Sequence, residues 1–170
     1  MKVAIIEFPG SNCQRDVYVA LKRPDKVEPI IVWHQSHVLP EVDLVILPGG
    51  FSYGDYLRTG ALAAKSAIIP SLHAAADKGT YILGICNGFQ ILTEIGLLPG
   101  ALICNKNLRF ISSKTFIKVA NNKSIYTCSF NVDQVISLPI AHKTGNYYGS
   151  EREIKSLEDK DLIAFRYWRR

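Results

Sequence analysis

The 170-residue chain has no run of about 18 or more apolar residues, the length a membrane-crossing helix needs, so it is expected to span no bilayer. Its first apolar run, Val3-Ala4-Ile5-Ile6, is closed by Glu7 and Pro9, too early for the core of a secretory leader, and a cytoplasmic location is expected. Closely spaced cysteines are missing as well. Cys13, Cys86, Cys104 and Cys128 stand far apart with no Cys-x-x-Cys pair, which argues against a disulfide framework and against a zinc knuckle, and no metal site is expected. Phosphate-binding loops are absent. No Gly-x-Gly-x-x-Gly follows a candidate strand, and Asn121-Asn122-Lys123-Ser124 has none of the glycines of a phosphate cradle. No cofactor is therefore expected on this chain, and any ATP would be bound by another. Basic clusters are also scarce. The net charge is +5, but the lysines and arginines are scattered, and only Arg166, Arg169 and Arg170 gather at the end, which reads as a solvated surface rather than a nucleic-acid footprint. Repeats, low-complexity stretches and linkers are lacking too.

What is present fits one globular domain with a sizeable core, since 48% of the residues are hydrophobic. Residues 2–6, 27–33 and 42–47 read as strands too apolar to have one face in water, and strands of that kind alternating with helices mean a parallel sheet covered on both sides. Pro9-Gly10-Ser11-Asn12 reads as a loop whose Ser11 or Asn12 caps a helix over residues 13–22. Alanine-rich residues 59–78 are predicted as the longest helix, ended by Gly79. After Gly100 the runs shorten and alternate, at 109–111, 115–119, 125–130 and 134–140, as expected of an antiparallel extension. A last helix over 150–157 precedes a strand over 162–168.

Two stretches carry chemistry. Residues 81–83 suit a buried strand, residues 89–95 have helical apolar spacing, and between them stands Gly84-Ile85-Cys86-Asn87-Gly88. That is the pattern of a nucleophile elbow, in which the reactive residue occupies a tight strand-to-helix turn flanked by glycines. Cys86 would then face the positive end of a helix, an effect of about 0.3 to 1 kcal/mol that favours an anionic sulfur without sufficing alone, so a neighbouring histidine would be wanted. A small buried cysteine packed under a helix has the same five-residue pattern. The second stretch is Leu47-Pro48-Gly49-Gly50-Phe51-Ser52-Tyr53-Gly54-Asp55, beyond the third strand. In a doubly wound sheet ligands bind past the strand C-termini, so this loop and Cys86 should share one crevice. One N–H near Gly50 and the N–H of Asn87 would make a two-donor oxyanion hole, although Pro-Gly-Gly serves equally well as a plain turn.

Taken in order, residues 5–12, residues 48–58 (Pro-Gly-Gly-Phe-Ser-Tyr-Gly-Asp-Tyr-Leu-Arg), residues 84–90, Gly96-Leu97-Leu98-Pro99-Gly100 and Asn105-Lys106 resemble the glutaminase subunits of phosphoribosylformylglycinamidine synthase. Those are class I, or triad, glutamine amidotransferases of purine biosynthesis. The resemblance covers nearly the whole chain and implies an α/β fold, flavodoxin-like, with a doubly wound, mostly parallel sheet, helices on both faces and an antiparallel extension. It implies that Cys86 attacks the side-chain amide of glutamine while the N–H groups of Gly50 and Asn87 hold the oxyanion. Phe51 and Gln90 would help bind the glutamine. Ammonia would pass to a synthase subunit that binds formylglycinamide ribonucleotide together with ATP and Mg, and residues 53–58 are a candidate contact with that subunit or its substrate.

Two departures from the family's pattern accompany the resemblance. The family places its catalytic histidine and glutamate in a Pro-His-Pro-Glu motif near its C-terminus, and residues 1–170 do not include one. The expectation is a single amidotransferase-like domain lacking that segment, with little activity alone for want of a base. Of the histidines present, His34, His37 and His73 read as surface or packing residues. His142 falls in Ala141-His142-Lys143-Thr144-Gly145-Asn146, where the family reads Ala-His-Gly-Glu-Gly-Asn, and is a candidate glutamine-binding residue or substitute base. Two other readings compete: a non-catalytic subunit that only binds the synthase, and a cysteine hydrolase or redox-stress protein of related fold. The latter proteins usually place histidine directly after the cysteine, where this chain has Asn87.

Overall fold

A computed structural model describes residues 1–168; Arg169 and Arg170 of the basic cluster lie outside the described residues. The chain forms two compact units, Met1–Ala101 and the residues from Leu102 onward. Among the described residues no helix is long and apolar enough to cross a membrane.

In the first unit β1 (Lys2–Glu7), β2 (Glu28–Trp33), β3 (Leu44–Leu47) and β4 (Tyr81–Gly84) pair in parallel in the order β2-β1-β3-β4. The middle of β1 and all of β3 are buried on both faces. Alternation of side chains across a strand divides them between two cores. Ala4, Ile6, Val45 and Leu47 pack with Leu72 of α2 (Ile69–Asp77) and with Ile91 and Leu92 of α3 (Asn87–Glu94), while Val3, Leu44 and Ile46 meet Val17 and Leu21 of α1 (Gln14–Lys22) on the other face. Each fully buried Leu or Ile contributes about 1.5 to 3 kcal/mol.

Three expectations for this unit need correction. β2 is not covered on both faces: it is the edge strand, and Ile30, Ile31 and Trp33 are exposed. Neither Ser11 nor Asn12 caps α1. Cys13 occupies the cap position without a side-chain bond, and Ser11 Oγ instead accepts from Phe8 N–H at 3.1 Å. The helix expected over residues 59–78 is broken. A short 3-10 turn (Ala63–Lys65) ends at Ser66, whose backbone is extended, and α2 begins only at Ile69, with Pro70 in its first turn. Alanine content favours a helix across that break, but Ser66 Oγ lies 3.0 Å from His34 Nδ1, and this tertiary bond holds Ser66 out of the helix.

His34 is the hub at the end of β2. It is buried, its N–H donates to Glu7 O at 2.9 Å, its carbonyl accepts from Ile68 N–H at 3.0 Å, and its ring stacks on Phe8. Nδ1 is also 3.1 Å from the Tyr53 hydroxyl, and Nε2 is buried without a partner among the described residues.

From Ala101 onward the chain forms a two-stranded pair, β5 (Ala101–Ile103) with β8 (Asn146–Tyr148), and a three-stranded antiparallel sheet. In that sheet β6 (Ile111–Val119) lies between β7 (Val135–His142) and β9 (Phe165–Trp168). The antiparallel part is thus a sheet of its own. The runs expected at 109–111 and 115–119 belong to one strand, β6. Residues 125–130 are not a strand. The Ser124 carbonyl accepts from the N–H groups of Thr127 and Cys128, and the Ser124 and Thr127 hydroxyls meet at 2.8 Å, a set of local bonds that outcompetes extension despite the apolar spacing. The last helix, α4 (Glu151–Asp159), starts at a reciprocal capping box between Ser150 and Glu153.

Burial pushes the His34 imidazole below its ordinary value of 6.5. Folding therefore favours neutral His34, and its contribution is fully present above the unfolded value and declines as pH falls below it. The melting temperature should drop on acidification from pH 7 to pH 5, and His34→Gln should show a shallower drop over that range in parallel thermal melts.

Candidate active site

Cys86 stands between β4 and α3 with φ 51° and ψ −108°, a conformation that costs a non-glycine residue of order 1 to 3 kcal/mol and persists only where its surroundings impose it. The surroundings are visible. A Cβ on Gly88 would lie 1.9 Å from Leu47 O, and one on Gly84 would lie 2.6 Å from Leu92 Cδ1 and 2.8 Å from Gly88 C. The two glycines thus let α3 lie directly on β3 and β4, and the chain reaches that close approach by turning sharply at Cys86. Ile85 N–H is anchored on Leu47 O at 2.9 Å on the strand side, and Gln90 N–H bonds Cys86 O at 3.2 Å on the helix side. Cys86 is exposed, and its Cβ lies 3.5 Å from where a Gly49 Cβ would stand. Cys86 is therefore not sealed in the core, and its Cβ stands beside Gly49 of the glycine pair.

Gly50, at φ 141°, has no room for a side chain: a Cβ would meet Asn12 N and Gly10 O, each at 2.6 Å. The loop it belongs to is fastened to the loop after β1 by Phe51 N–H to Gly10 O at 3.0 Å, Tyr53 N–H to Pro9 O at 2.7 Å and the bridge between Ser11 and Gly50. Phe51, half exposed, follows Gly50 directly. Beyond it the backbone coils through positive φ at Tyr53, Gly54, Asp55 and Leu57, and Arg58 closes the loop with a two-pronged ion pair to Glu94 at the end of α3, both contacts 2.7 Å.

One side chain joins the two halves of this site. Asn87 is 1% exposed; its Oδ1 accepts from Ser52 N–H at 3.1 Å and its Nδ2 donates to Gln90 Oε1 at 3.0 Å. The first N–H groups of a helix have no partner within it, and the first residue of α3 also fixes the glycine loop through its side chain. Sequence reading singled out the Asn87 N–H and missed the amide. Gln90 is buried and holds Asn87 rather than facing solvent.

His142 belongs to the second unit, where Asn105 organises the turn after β7. Asn105 Nδ2 donates to the carbonyls of Arg109 and His142, both at 2.9 Å, leaving Oδ1 to accept from Gly145 N–H at 3.2 Å and from His142 Nδ1 at 3.0 Å. That makes His142 Nδ1 the donor, and Nε2 is buried with no partner among the described residues. Gly145 is required because a Cβ there would come within 2.2 Å of the ring. The Asn105 side chain was named in the sequence only as part of a run; its role in the turn depends on contacts about 40 residues away in the chain.

Residues 1–170 match the family of CobB/CobQ-like glutamine amidotransferase domains. A phosphoribosylformylglycinamidine synthase subunit PurQ of Zymomonas mobilis is 50% identical over 168 residues, covering 98% of this chain and 76% of the relative. The structure of PurLQS from Thermotoga maritima superimposes with a TM-score of 0.88 at 41% identity, over 99% of this chain and 75% of that one. The glutaminase domain of Trypanosoma brucei CTPS, at 11% identity and a TM-score of 0.60, shares the fold alone. A cysteine on a strand-to-helix elbow, on a parallel sheet with that likeness, defines a class I glutamine amidotransferase, and the chain belongs to that family. Within it, the chain takes its place among the PurQ glutaminase subunits of phosphoribosylformylglycinamidine synthase.

Replacing Asn87 by Ala removes the acceptor of Ser52 N–H, a loss of about 1 to 3 kcal/mol, and the bond to Gln90 Oε1, and loosens the loop that carries Gly50. The kcat for glutamine hydrolysis should fall about 10- to 100-fold, with a lowered melting temperature, in steady-state ammonia assays paired with thermal melts. Gly88→Ala, which sets a methyl group against Leu47 O, should destabilise by more than about 2 kcal/mol and is checked by urea unfolding.

Proposed function

We propose that this chain is the glutamine-hydrolysing subunit of phosphoribosylformylglycinamidine synthase, with Cys86 as its nucleophile. The observation that carries the reading is the strained, exposed Cys86 held against the Gly49-Gly50 loop, with Asn87 tying that loop to the start of α3. Cys86 Sγ attacks the side-chain carbonyl carbon of glutamine. The N–H groups of Gly50 and Asn87 take the developing oxyanion, an arrangement in which one donor is worth about 10² to 10³ in rate. The amide –NH2 takes the proton given up by the thiol and leaves as ammonia, and water then cleaves the γ-glutamyl thioester to glutamate and the free thiol of Cys86. Phe51 offers an apolar wall beside Gly50, and Gln90 supports the site through its bond to Asn87. Ammonia passes to the synthase subunit, which holds formylglycinamide ribonucleotide, ATP and Mg. These are cytoplasmic reactants, and the chain works in that compartment.

The test reconstitutes the chain with the synthase subunit, formylglycinamide ribonucleotide, ATP and Mg. Glutamine should support product formation, Cys86→Ser should abolish it by at least 10³-fold, and ammonium chloride should restore it in the variant. Glutamine-dependent turnover that survives Cys86→Ser would sink the assignment.

A further inference from the structure

Cys13 has no visible structural task. It fills the cap position of α1, where Ser, Thr, Asp or Asn would bond the helix N–H groups, yet its thiol makes no such bond. Its surroundings are more telling. Cys13 N–H donates to Gly49 O at 3.3 Å, and the point where a Gly49 Cβ would stand lies 3.4 Å from Cys13 Sγ, 3.7 Å from Cys13 Cβ and 3.5 Å from Cys86 Cβ. Only a hydrogen of Gly49 occupies that point, so the two cysteines flank a residue that puts no side chain between them.

We infer that Cys13 is the resolving partner of Cys86, and that peroxide converts the pair into a reversible Cys13–Cys86 disulfide that blocks the nucleophile. The blocking rests on the reading of Cys86 as nucleophile; the pairing itself does not. Cys86 is exposed and Cys13 half buried, so peroxide meets Cys86 first. Its thiolate attacks one peroxide oxygen, hydroxide leaves, and Cys86 becomes a sulfenic acid. Cys13 sulfur then attacks the Cys86 sulfur and the sulfenic oxygen departs as water. In sum, two thiols and one hydrogen peroxide give one disulfide and two waters, with two electrons passing to the peroxide. Burial, then Asp16 and Cys86, push the Cys13 thiol up, which keeps it out of the first step and in reserve for the second. A disulfide needs its Cβ atoms about 3.5 to 4.5 Å apart, and the empty side of Gly49 is the space into which the two close. Without Cys13 the sulfenic acid proceeds to sulfinic acid, which dithiol reductants do not reverse.

The test treats the full chain with several equivalents of hydrogen peroxide, enough for the two-oxygen product in the variants, alkylates remaining thiols and digests with chymotrypsin without reductant, which separates Cys86 from Cys104. Mass spectrometry should find the Cys13 and Cys86 peptides joined. Glutaminase activity, measured after reconstitution with the synthase subunit, should fall at least tenfold and return with dithiothreitol, whereas Cys13→Ala and Cys13→Ser should gain two oxygens at Cys86 and stay inactive. Cys13 alkylated after oxidation, Cys86 joined to Cys104 or Cys128, or recovery in the Cys13 variants equal to that of the wild type would overturn the inference. A joined pair in protein whose untreated activity does not depend on Cys86 would uphold the pairing, overturn the blocking and count against the nucleophile reading separately.

Discussion

The contact between Gly88 and the carbonyl of Leu47 is the constraint on which the site depends. No side chain fits at residue 88, so α3 lies against β3 at a distance only a bare backbone allows. Bringing the helix that close compresses the turn from β4 and leaves Cys86 the residue that absorbs it, at φ 51°. The strain is sustained by the packing on either side, where Leu47 and Ile91 are almost fully buried in one core. A wider helix-to-sheet spacing would relax Cys86 into an ordinary backbone conformation and turn its sulfur away from the glycine loop. Core packing and the strained conformation of Cys86 are in that sense the same interaction seen from two ends.

The glycine loop is governed by a different principle. Its route is fixed by backbone hydrogen bonds to the loop after β1, by the Asn87 amide and by the Arg58–Glu94 ion pair. Because Arg58 is largely exposed, that ion pair contributes little to stability on its own account, and its value is positional, holding the far end of a loop that passes through several left-handed residues. Asn87 is the more consequential fastening, since it is buried and engaged on both sides.

Much of this was legible before any coordinates. The parallel sheet followed from continuous apolar strands, the elbow from two glycines around a cysteine, and the glycine loop from its place after the third strand. What could not be read depended on contacts between distant residues. Alanine content over residues 59–78 signals one helix, but a hydrogen bond between Ser66 and His34, 32 residues apart in the chain, divides it. Apolar spacing at 125–130 signals a strand, but hydroxyls at Ser124 and Thr127 close turns there. The Asn87 amide and the Asn105 network were hidden for the same reason: nothing in a side chain's own neighbourhood announces a partner 35 or 40 residues away.

The outer position of β2 has a bearing on how the molecule behaves among its own copies. An outermost strand with exposed Ile30, Ile31 and Trp33 is an invitation to add a foreign strand and begin aggregating. Pro29 stands at the second position of that strand, just ahead of the exposed residues. It contributes no N–H, and Glu28 beside it adds charge, so a second chain laid along this margin finds an interrupted ladder. The same imino ring that a central strand would reject keeps the sheet finite.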